Sequence, residues 1–477
     1  MALSKDKALD AAKAILTGPR VNEANRLSRI HSAINPSTTS SEFTPTVQIP
    51  TDAPAIMREL AWKSQVNYLR LLVKTFRQVM KVDGYLTTND AGATDPWTWW
   101  QRNKMDSRQA GLVDSALSYG ASYATALPGR DARGNFLPAV SLYSPREMTA
   151  LYQDPESDEW PMLALGVDGN VLTLFDEEMR YRFGIEDKPR FEATQPSAAL
   201  DMTASSRLVY LDAEAHETGV CPVVRYRDRN LLAGEESLGI IEPLLIVNER
   251  ITEHTFQMMV TDYFQAFKQR YVLGWVPKNE REELKASSAR IWYLPDDPAD
   301  VKIDQLEGGD SAAARESRNA AIRDFAALGQ IPAQALGIDG ISNISDATLA
   351  GLEAAKNREA AEITTSLGES HEQLLRLCAH IDGNESASDD YNSEVRWRDF
   401  EARSYAQTVD GLVKLVQGLG LDPVIALEDV PGMTEQRLVR AQQAMRRSRS
   451  ADMLRALSTT PPPEQDVALP DADPDAN

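Results

Sequence analysis

Five histidines, at positions 31, 216, 254, 371 and 380, and two cysteines, Cys221 and Cys378, are the residues best suited to catalysis or metal binding. Their spacing supports neither. His371 and His380 lie nine apart on one helical run, too far to share a metal ion, and His254 sits beside Glu253 on what reads as a solvated helix face. No phosphate-loop, GxGxxG, HExxH or GxSxG signature occurs, and no Cys/His set has ligand spacing. The acidic DGNESASDDYNSE (382–394) fails the calcium-loop template, because Ser386 and Ala387 stand where Asp or Asn and Gly are needed. Carboxylate pairs such as Glu235/Glu236 follow from an acidic chain. Neither an enzyme nor a cofactor is expected. Two groups do have the chemistry to meet phosphates. Arg446, Arg447 and Arg449 make a local positive patch, for which a solvated face paired with the acidic C-terminal tail is an equal reading. The loop ALGIDGISNIS (335–345) carries Gly337, Gly340 and a single charge, Asp339, while Ser342, Asn343 and Ser345 offer weak hydrogen bonds.

The formal net charge of −21 argues against tight wrapping around DNA, which needs Lys and Arg on phosphates. It does not exclude a protein that DNA slides past. With 477 residues, 42% hydrophobic and 25% charged, the chain has room for two or three domains with sizeable cores. No apolar run approaches the about 20 residues of a membrane span, and no signal-peptide core is present at the polar N-terminus. Two cysteines are too few for a disulfide framework, which favours a reducing compartment.

These groups need elements to position them, and the stretch from Ser237 to Ser345 organises the rest. SLGIIEPLLIVNERITEHTFQMMVTDYFQAF places Ile241, Leu244, Leu245, Ile251, Phe256, Met259, Tyr263 and Phe267 at three- and four-residue steps, one apolar helix stripe. From Pro243, tolerated in a first turn, that helix reaches about 36 Å. A returning helix begins at an N-cap, Asp310, and stops at Gly329 before Pro332. Between them QRYVLGWV and RIWYLP read as strands around the helix-favouring NEREELKASSA. The stripe is long enough to predict packing against a neighbouring copy as well as the hairpin partner.

Before this arm come two helical patches in residues 1–35, including Lys5 to Leu16, and a Ser/Thr/Pro-rich linker at 35–54. One amphipathic helix is predicted over 54–82, ended by Asp83-Gly84 with Gly as the left-handed cap. DPWTWWQRNKMD brings Trp97, Trp99 and Trp100 as core residues, ahead of a helix running into a strand at Gly120. Short strands (VLTLF, RYRFGIE, SRLVYL, CPVVRY) follow, turning at Asp168-Gly169-Asn170. Beyond the arm, residues 345–381 read as one long helix, EVRWRDFEAR as a strand, and ARSYAQTVDGLVKLVQGLG as a helix closed by Gly420. Residues 434–457 form a helix with six arginines, and the last 20 residues, with five prolines and no base, are expected to be disordered.

In order along the chain, these segments resemble the portal proteins of long-tailed double-stranded DNA bacteriophages. NYLRLLVKTFRQVMKVDGY is similar to the family's early helix and its Val-x-Gly-aromatic turn, and WTWWQRNKMD with ALSYGASYATAL to its Trp-rich helix and Tyr-Gly-x-x-Tyr element. CPVVRYRDRN is similar to its Pro-Val-Val strand, and GEESLG to the Gly-Glu-Ser-x-Leu lead-in to the stem, with one extra Glu. Arg270-Tyr-Val-Leu-Gly274 matches the Arg-x-x-x-Gly that leaves the stem. ISDATLAGLEAAKNREAAE resembles the long helix after the tunnel loop, and TVDGLVKLVQGLGLD the C-terminal helices.

The resemblance implies an α+β, mainly helical portal fold assembled as a ring of about twelve copies around a DNA channel. Its regions would be an N-terminal arm and linker (1–53), wing (54–236), stem (237–266), clip (267–308), second stem helix (309–330), tunnel-loop region (331–347), long helix and wing (348–401), crown (402–458) and acidic tail (459–477). The tunnel loop would line the channel through Gly337, Asp339, Gly340, Ser342, Asn343 and Ser345, and the crown patch would face packaged DNA. Clip residues Arg270, Trp275, Lys278, Arg290 and Trp292 would dock the large terminase subunit and then the head-completion protein, in a virion whose major capsid protein surrounds the ring. No membrane is involved, and ATP hydrolysis would belong to the motor. Residues 237 to 330 hold 11 basic and 15 acidic residues, an arm of net −4 that favours sliding over sticking. A non-viral helical scaffold or adaptor and a DNA-processing enzyme with a divergent site are the readings from other classes.

Overall fold

Local signals decide most elements of the computed structural model, which describes residues 2–39, 43–45, 47, 49–51, 54–87, 95–185, 208–230, 232, 235, 237–266, 270–273, 302–305, 311–338, 346–398, 405–420, 422–428, 430 and 432–458. Two units, Met1–Ala402 and Arg403–Asn477, divide the chain. The first opens with helices α1 (Lys5–Thr17), α2 (Pro19–Ile34), α3 (Ala55–Lys63) and α4 (Tyr68–Val79), strand β1 (Val82–Leu86), and helices α5 (Pro96–Arg102) and α6 (Met105–Tyr119). Eight strands follow: β2 (Ala121–Arg130), β3 (Phe136–Tyr143), β4 (Met148–Leu151), β5 (Leu163–Asp168), β6 (Val171–Phe175), β7 (Met179–Ile185), β8 (Leu208–Ala215) and β9 (Val223–Arg227). Then come α7 (Leu245–Ala266), β10 (Arg270–Leu273), β11 (Lys302–Gln305), α8 (Ser311–Leu328), α9 (Asp346–Ile381), α10 (Glu385–Ser388) and β12 (Glu394–Trp397). The second unit holds α11 (Tyr405–Leu419), α12 (Pro423–Glu428) and α13 (Glu435–Ser458). Among the described residues no helix is long and apolar enough to cross a membrane.

Two sequence expectations change near α4. The helix predicted over 54–82 is two helices, because the Asn67 side chain accepts the Arg70 N–H and caps a new start. Asp83-Gly84 is no cap either: Gly84 lies inside β1, which pairs antiparallel with β12. A side chain at 84 would meet the Arg396 guanidinium 2.7 Å away, a contact that the flexible arginine relieves by shifting.

Strands β4 to β8 form an antiparallel meander in chain order. Period-two alternation gives it two working faces. Leu165, Val167, Leu172 and Leu174 pack with Ala8, Ala12, Ile15 and Leu16 of α1, while Ala164 and Phe175 join Met148, Cys221 and Val223 on the other side. A second sheet, β3-β2-β9, carries α6 and α9. At 36 residues, α9 is about 54 Å long. Its stripe Ile363, Leu367, His371, Leu374 and Cys378 is buried throughout.

His371 fills the centre of an aromatic box. Its ring centroid lies 5.1 Å from Trp100, 4.9 Å from Tyr226 and 5.9 Å from Trp397. Trp97 stacks on Trp100 at 5.3 Å, so the tryptophans are core, as expected. The Tyr226 hydroxyl and Nδ1 are hydrogen-bonded at 3.1 Å, in a direction set by the tautomer, and Nε2 has no partner.

Helices α7 and α8 run antiparallel in one register. Gly329 sits against Leu244, Arg250 pairs with Asp324, and Arg318 Nε donates to Thr255 Oγ1 at 3.0 Å. Beyond them β10 pairs antiparallel with β11, from Arg270↔Gln305 to Leu273↔Lys302. Sequence reading missed β11; the strand expected at RIWYLP lies outside the described residues, as do residues 459–477. The first half of the α7 stripe is buried within one protomer: Ile251 has no exposed surface and shares a core with Ile322 and Phe325, while Met259 and Tyr263 are only partly buried. An expected seam position is therefore an internal one. Ile246, at 71% exposure, is a large apolar residue that α7 leaves outside.

Ile251→Asp should abolish folding of the protomer itself, since an unpaired buried charge costs on the order of several kcal/mol; a urea melt of the soluble chain reads this directly. His371 supplies a pH test. Burial pulls its pKa from 6.5 to about 3, so between those values only the unfolded chain takes up the proton. Stability attributable to this residue therefore falls as the pH drops below 6.5, by about 2 kcal/mol at pH 5. His371→Phe should lose that slope, while the orphaned Tyr226 hydroxyl adds a cost that does not vary over the same range. Denaturant midpoints of both chains at pH 7.5 and 5 measure it, and parallel shifts would count against the assignment.

Candidate functional site

The foot of α7 is built from two sequence motifs that the fold brings together. In YGASY (119–123) Gly120 ends α6 with φ 86°, and in GEESLG (234–239) Gly239 has φ 69°. The two lie back to back. A Cβ at 120 would fall 2.1 Å from the Ser237 carbonyl oxygen, and one at 239 would fall 2.6 Å from the Leu117 carbonyl oxygen. Only glycine fits both the space and the left-handed backbone. The Ile240 N–H donates to Leu117 O at 2.9 Å, satisfying one of the carbonyls left open at the α6 terminus.

Polar contacts complete the clamp. Ser237 Oγ donates to Gly120 O at 2.7 Å and also meets the Asp228 carboxylate. Burial pushes the Asp228 pKa up, against the hydroxyl of Ser237 and the charge of Arg229. Arg26, from α2, forms an ion pair with Glu242 at 2.6 Å and donates to the carbonyls of Ser237 and Tyr119 at 2.9 and 3.1 Å. Arg229 bridges Asp228 at 3.1 Å and Glu359 of α9 at 2.7 Å, and Gln330 reaches Glu359 at 3.3 Å. A cleft of about 590 Å³, walled by Leu238, Leu244, Leu328 and Glu359, lies inside this frame. Sequence reading noted both motifs without seeing that they touch, and it missed Arg26–Glu242, whose partners are 216 residues apart.

The predicted loop starts from a fixed post. After α8 a 3-10 turn spans Ala333–Leu336, Gly337 caps it with φ 79°, and Leu336 and Ile338 are both buried. Asp339, Gly340, Ser342, Asn343 and Ser345 lie outside the described residues, and α9 resumes at Asp346. Of the clip residues, Arg270 opens β10, while Trp275, Lys278, Arg290 and Trp292 lie outside the described residues. Arg446, Arg447 and Arg449 are exposed on α13. Three-residue spacing puts Arg446 and Arg449 on one side of α13 and Arg447 about 100° round it. Arg449 comes within 3.8 Å of Asp422, so the local carboxylate it meets is not in the tail.

Most of the other candidate groups are absorbed by structure, while His380 is exposed and His254 meets Gln257 on its own helix. His216 bonds Asp176 O at 3.0 Å and Thr218 Oγ1 at 2.7 Å, and His31 meets Tyr119 Oη at 2.9 Å and Arg146 Nη1 at 3.0 Å. Cys221 and Cys378 are buried, and burial pushes the Cys378 thiol up to about 12. Among the described residues no group of three or more His, Cys, Asp or Glu could hold a metal ion.

No curated protein matches this sequence. Among solved structures, a chain in the neck of an empty gene transfer agent particle, computed with C6 symmetry, aligns at TM-score 0.44 with 12% identity. That alignment covers 80% of this chain and 93% of the other. A chain in the virion of the native gene transfer agent particle aligns at TM-score 0.43 and 12% identity, over 83% and 95%. One in the native neck, computed with C12 symmetry, aligns at TM-score 0.41 and 13%, over 82% and 95%. The family described as phage portal protein, SPP1 Gp6-like, matches residues 37–451. That span takes in both glycine motifs, the α7–α8 pair, the post at Gly337 and the basic turns of α13, and the chain belongs to the phage portal protein family.

Proposed function

We propose that the protein is one subunit of a ring of about twelve copies at the capsid vertex, enclosing the channel through which double-stranded DNA is packaged and ejected. The family match over 37–451 carries this reading. The antiparallel α7–α8 pair supports the division into stem helices, with β10 and β11 as the start and end of the clip. The loop after Gly337 supports a channel wall, since it joins a buried post to α9 with Asp339 as its one charge. Repeated Lys–phosphate contacts around a ring would add electrostatic affinity at every copy and trap the duplex. Hydroxyls and an amide release it easily. Clip residues Arg270, Trp275, Lys278, Arg290 and Trp292 would dock the terminase and then the head-completion protein. No catalytic role is assigned to this chain.

Electron microscopy of the purified protein tests the reading: closed rings are expected, and a monomeric chain would sink it. Ser342→Lys with Asn343→Lys should leave rings intact but slow or stall packaging, with partial rescue by salt. Packaged DNA length against time measures the effect, and a wild-type rate would remove the loop from the channel wall. Replacing Arg446, Arg447 and Arg449 with Gln should lower genome retention without changing ring assembly; unchanged retention would reduce the patch to a solvated face.

A further inference from the structure

Helix α4 shows the core one face and the outside a very different one. Leu69, Leu72, Val73 and Phe76 are buried, which fixes the rotation of the helix. A second stripe, about 120° round the helix, carries Arg70, Lys74 and Arg77 at steps of four and three residues, so three cations line up over about 10 Å. They border a groove of about 670 Å³ whose far wall includes Asp114 and Ser118 of α6, with Asn35 beside the end of α2. Arg77 is spent within the groove, 3.0 Å from Asp114. Arg70 and Lys74 are exposed and form no ion pair among the described residues. Three cations and one carboxylate leave the groove net positive on a chain of net charge −21.

That contrast constrains the partner. Identical copies of a strongly acidic chain repel one another wherever acidic surface faces acidic surface. A closed ring joins two different faces of the same chain, so a cationic stripe on one face can meet carboxylates on the other. Nucleic acid fits less well. Asp114 stands in the groove itself, and three cations give a duplex few phosphate contacts, within a surface whose excess charge opposes it. A neighbouring copy held in place by its other contacts instead presents carboxylates at high effective concentration.

We propose that the α4 groove is a subunit seam, in which Arg70 and Lys74 take carboxylates of the next copy. The inference rests on the ring reading above and adds the residues that hold the ring together. Arg70→Glu with Lys74→Glu reverses the stripe at two exposed positions, and a thermal melt within 2 °C of wild type would show that the protomer is intact. Mass photometry and electron microscopy then follow the ring fraction against protein concentration in 0.15 M and 0.5 M NaCl. Wild type should form rings, less readily at the higher salt. The Glu pair should need at least tenfold more protein for half assembly, with Arg70→Gln and Lys74→Gln together falling between. Equal assembly of wild type and the Glu pair would overturn the seam and leave the ring standing. Absence of rings from wild type would overturn both. Normal assembly combined with lost affinity for a fluorescent DNA duplex would give the groove to nucleic acid and reject the neighbour.

Discussion

Gly120 and Gly239 come from motifs more than a hundred residues apart, and each occupies the space where the other's neighbours would tolerate no side chain. With a Cβ 2.1 Å from a carbonyl oxygen, the α6 terminus and the segment leading into α7 would have to separate. The clamp contacts made by Ser237, Ile240 and Arg26 would separate with them. Left-handed backbone costs glycine little, so the contact is inexpensive for this pair and prohibitive for others. What hangs from it is large. Pro243 sits in the short turn Glu242–Leu244 before α7, α7 fixes the register of α8, and α8 ends at the post from which the loop before α9 departs. That chain of dependence ties the end of α6 to the α7–α8 pair through backbone atoms, which side-chain substitutions elsewhere cannot easily loosen.

Much of this was legible in the sequence because it rests on local patterns. The turn at Asp168-Gly169-Asn170, the join at Gly120, the stop at Gly420 and the single run of α9 are all read from periodicity and from glycine. What escaped depends on partners distant in sequence. The break between α3 and α4 is set by one capping side chain, Asn67, inside an apolar pattern that runs straight through it. Gly84 looks like a helix stop, yet Lys81 and its neighbours lead into a strand because β12 waits some 310 residues later, with Leu86 opposite Glu394. Ile251 was correctly read as apolar and buried. Which surface buries it cannot be read from a stripe, and α8 took the place assigned to a neighbouring copy.

His371 shows how strongly the long helix is committed to one environment. An imidazole on α9 is surrounded by aromatic rings contributed by α5, β9 and β12, and it stays neutral because burial strips the charged form of solvent. Nε2 has no partner, so the box carries a standing cost that an apolar residue of the same shape would avoid. The Tyr226 hydroxyl is the gain set against it, since that group would otherwise be buried without a partner. The pairing also fixes α9 against β9 along its axis, with Ser366 and Ser370 donating to the carbonyls of Arg227 and Arg225 on either side. Sliding by one turn would break all three contacts at once, which holds α9 in one register on the β3-β2-β9 sheet.

The acidic charge has to serve two opposed ends in the proposed ring. A channel wall works best with few cations, because every copy repeats a contact and weak ones multiply into a trap. A subunit seam works best with opposite charges, because −21 on every copy makes like surfaces repel. Both needs are met if cations are withdrawn from the channel and concentrated elsewhere. On the α7–α8 pair Arg250 and Arg318 are each turned to a partner within the protomer, Asp324 and Thr255, while Arg315 is exposed. On α4, Arg77 takes the contact to Asp114 and leaves Arg70 and Lys74 exposed. Salt should therefore act on the two functions in opposite senses, weakening the seam while easing any cation introduced into the loop. Slipperiness toward DNA and adhesion between copies then become a question of where a few arginines and lysines stand, and not of how many the chain contains.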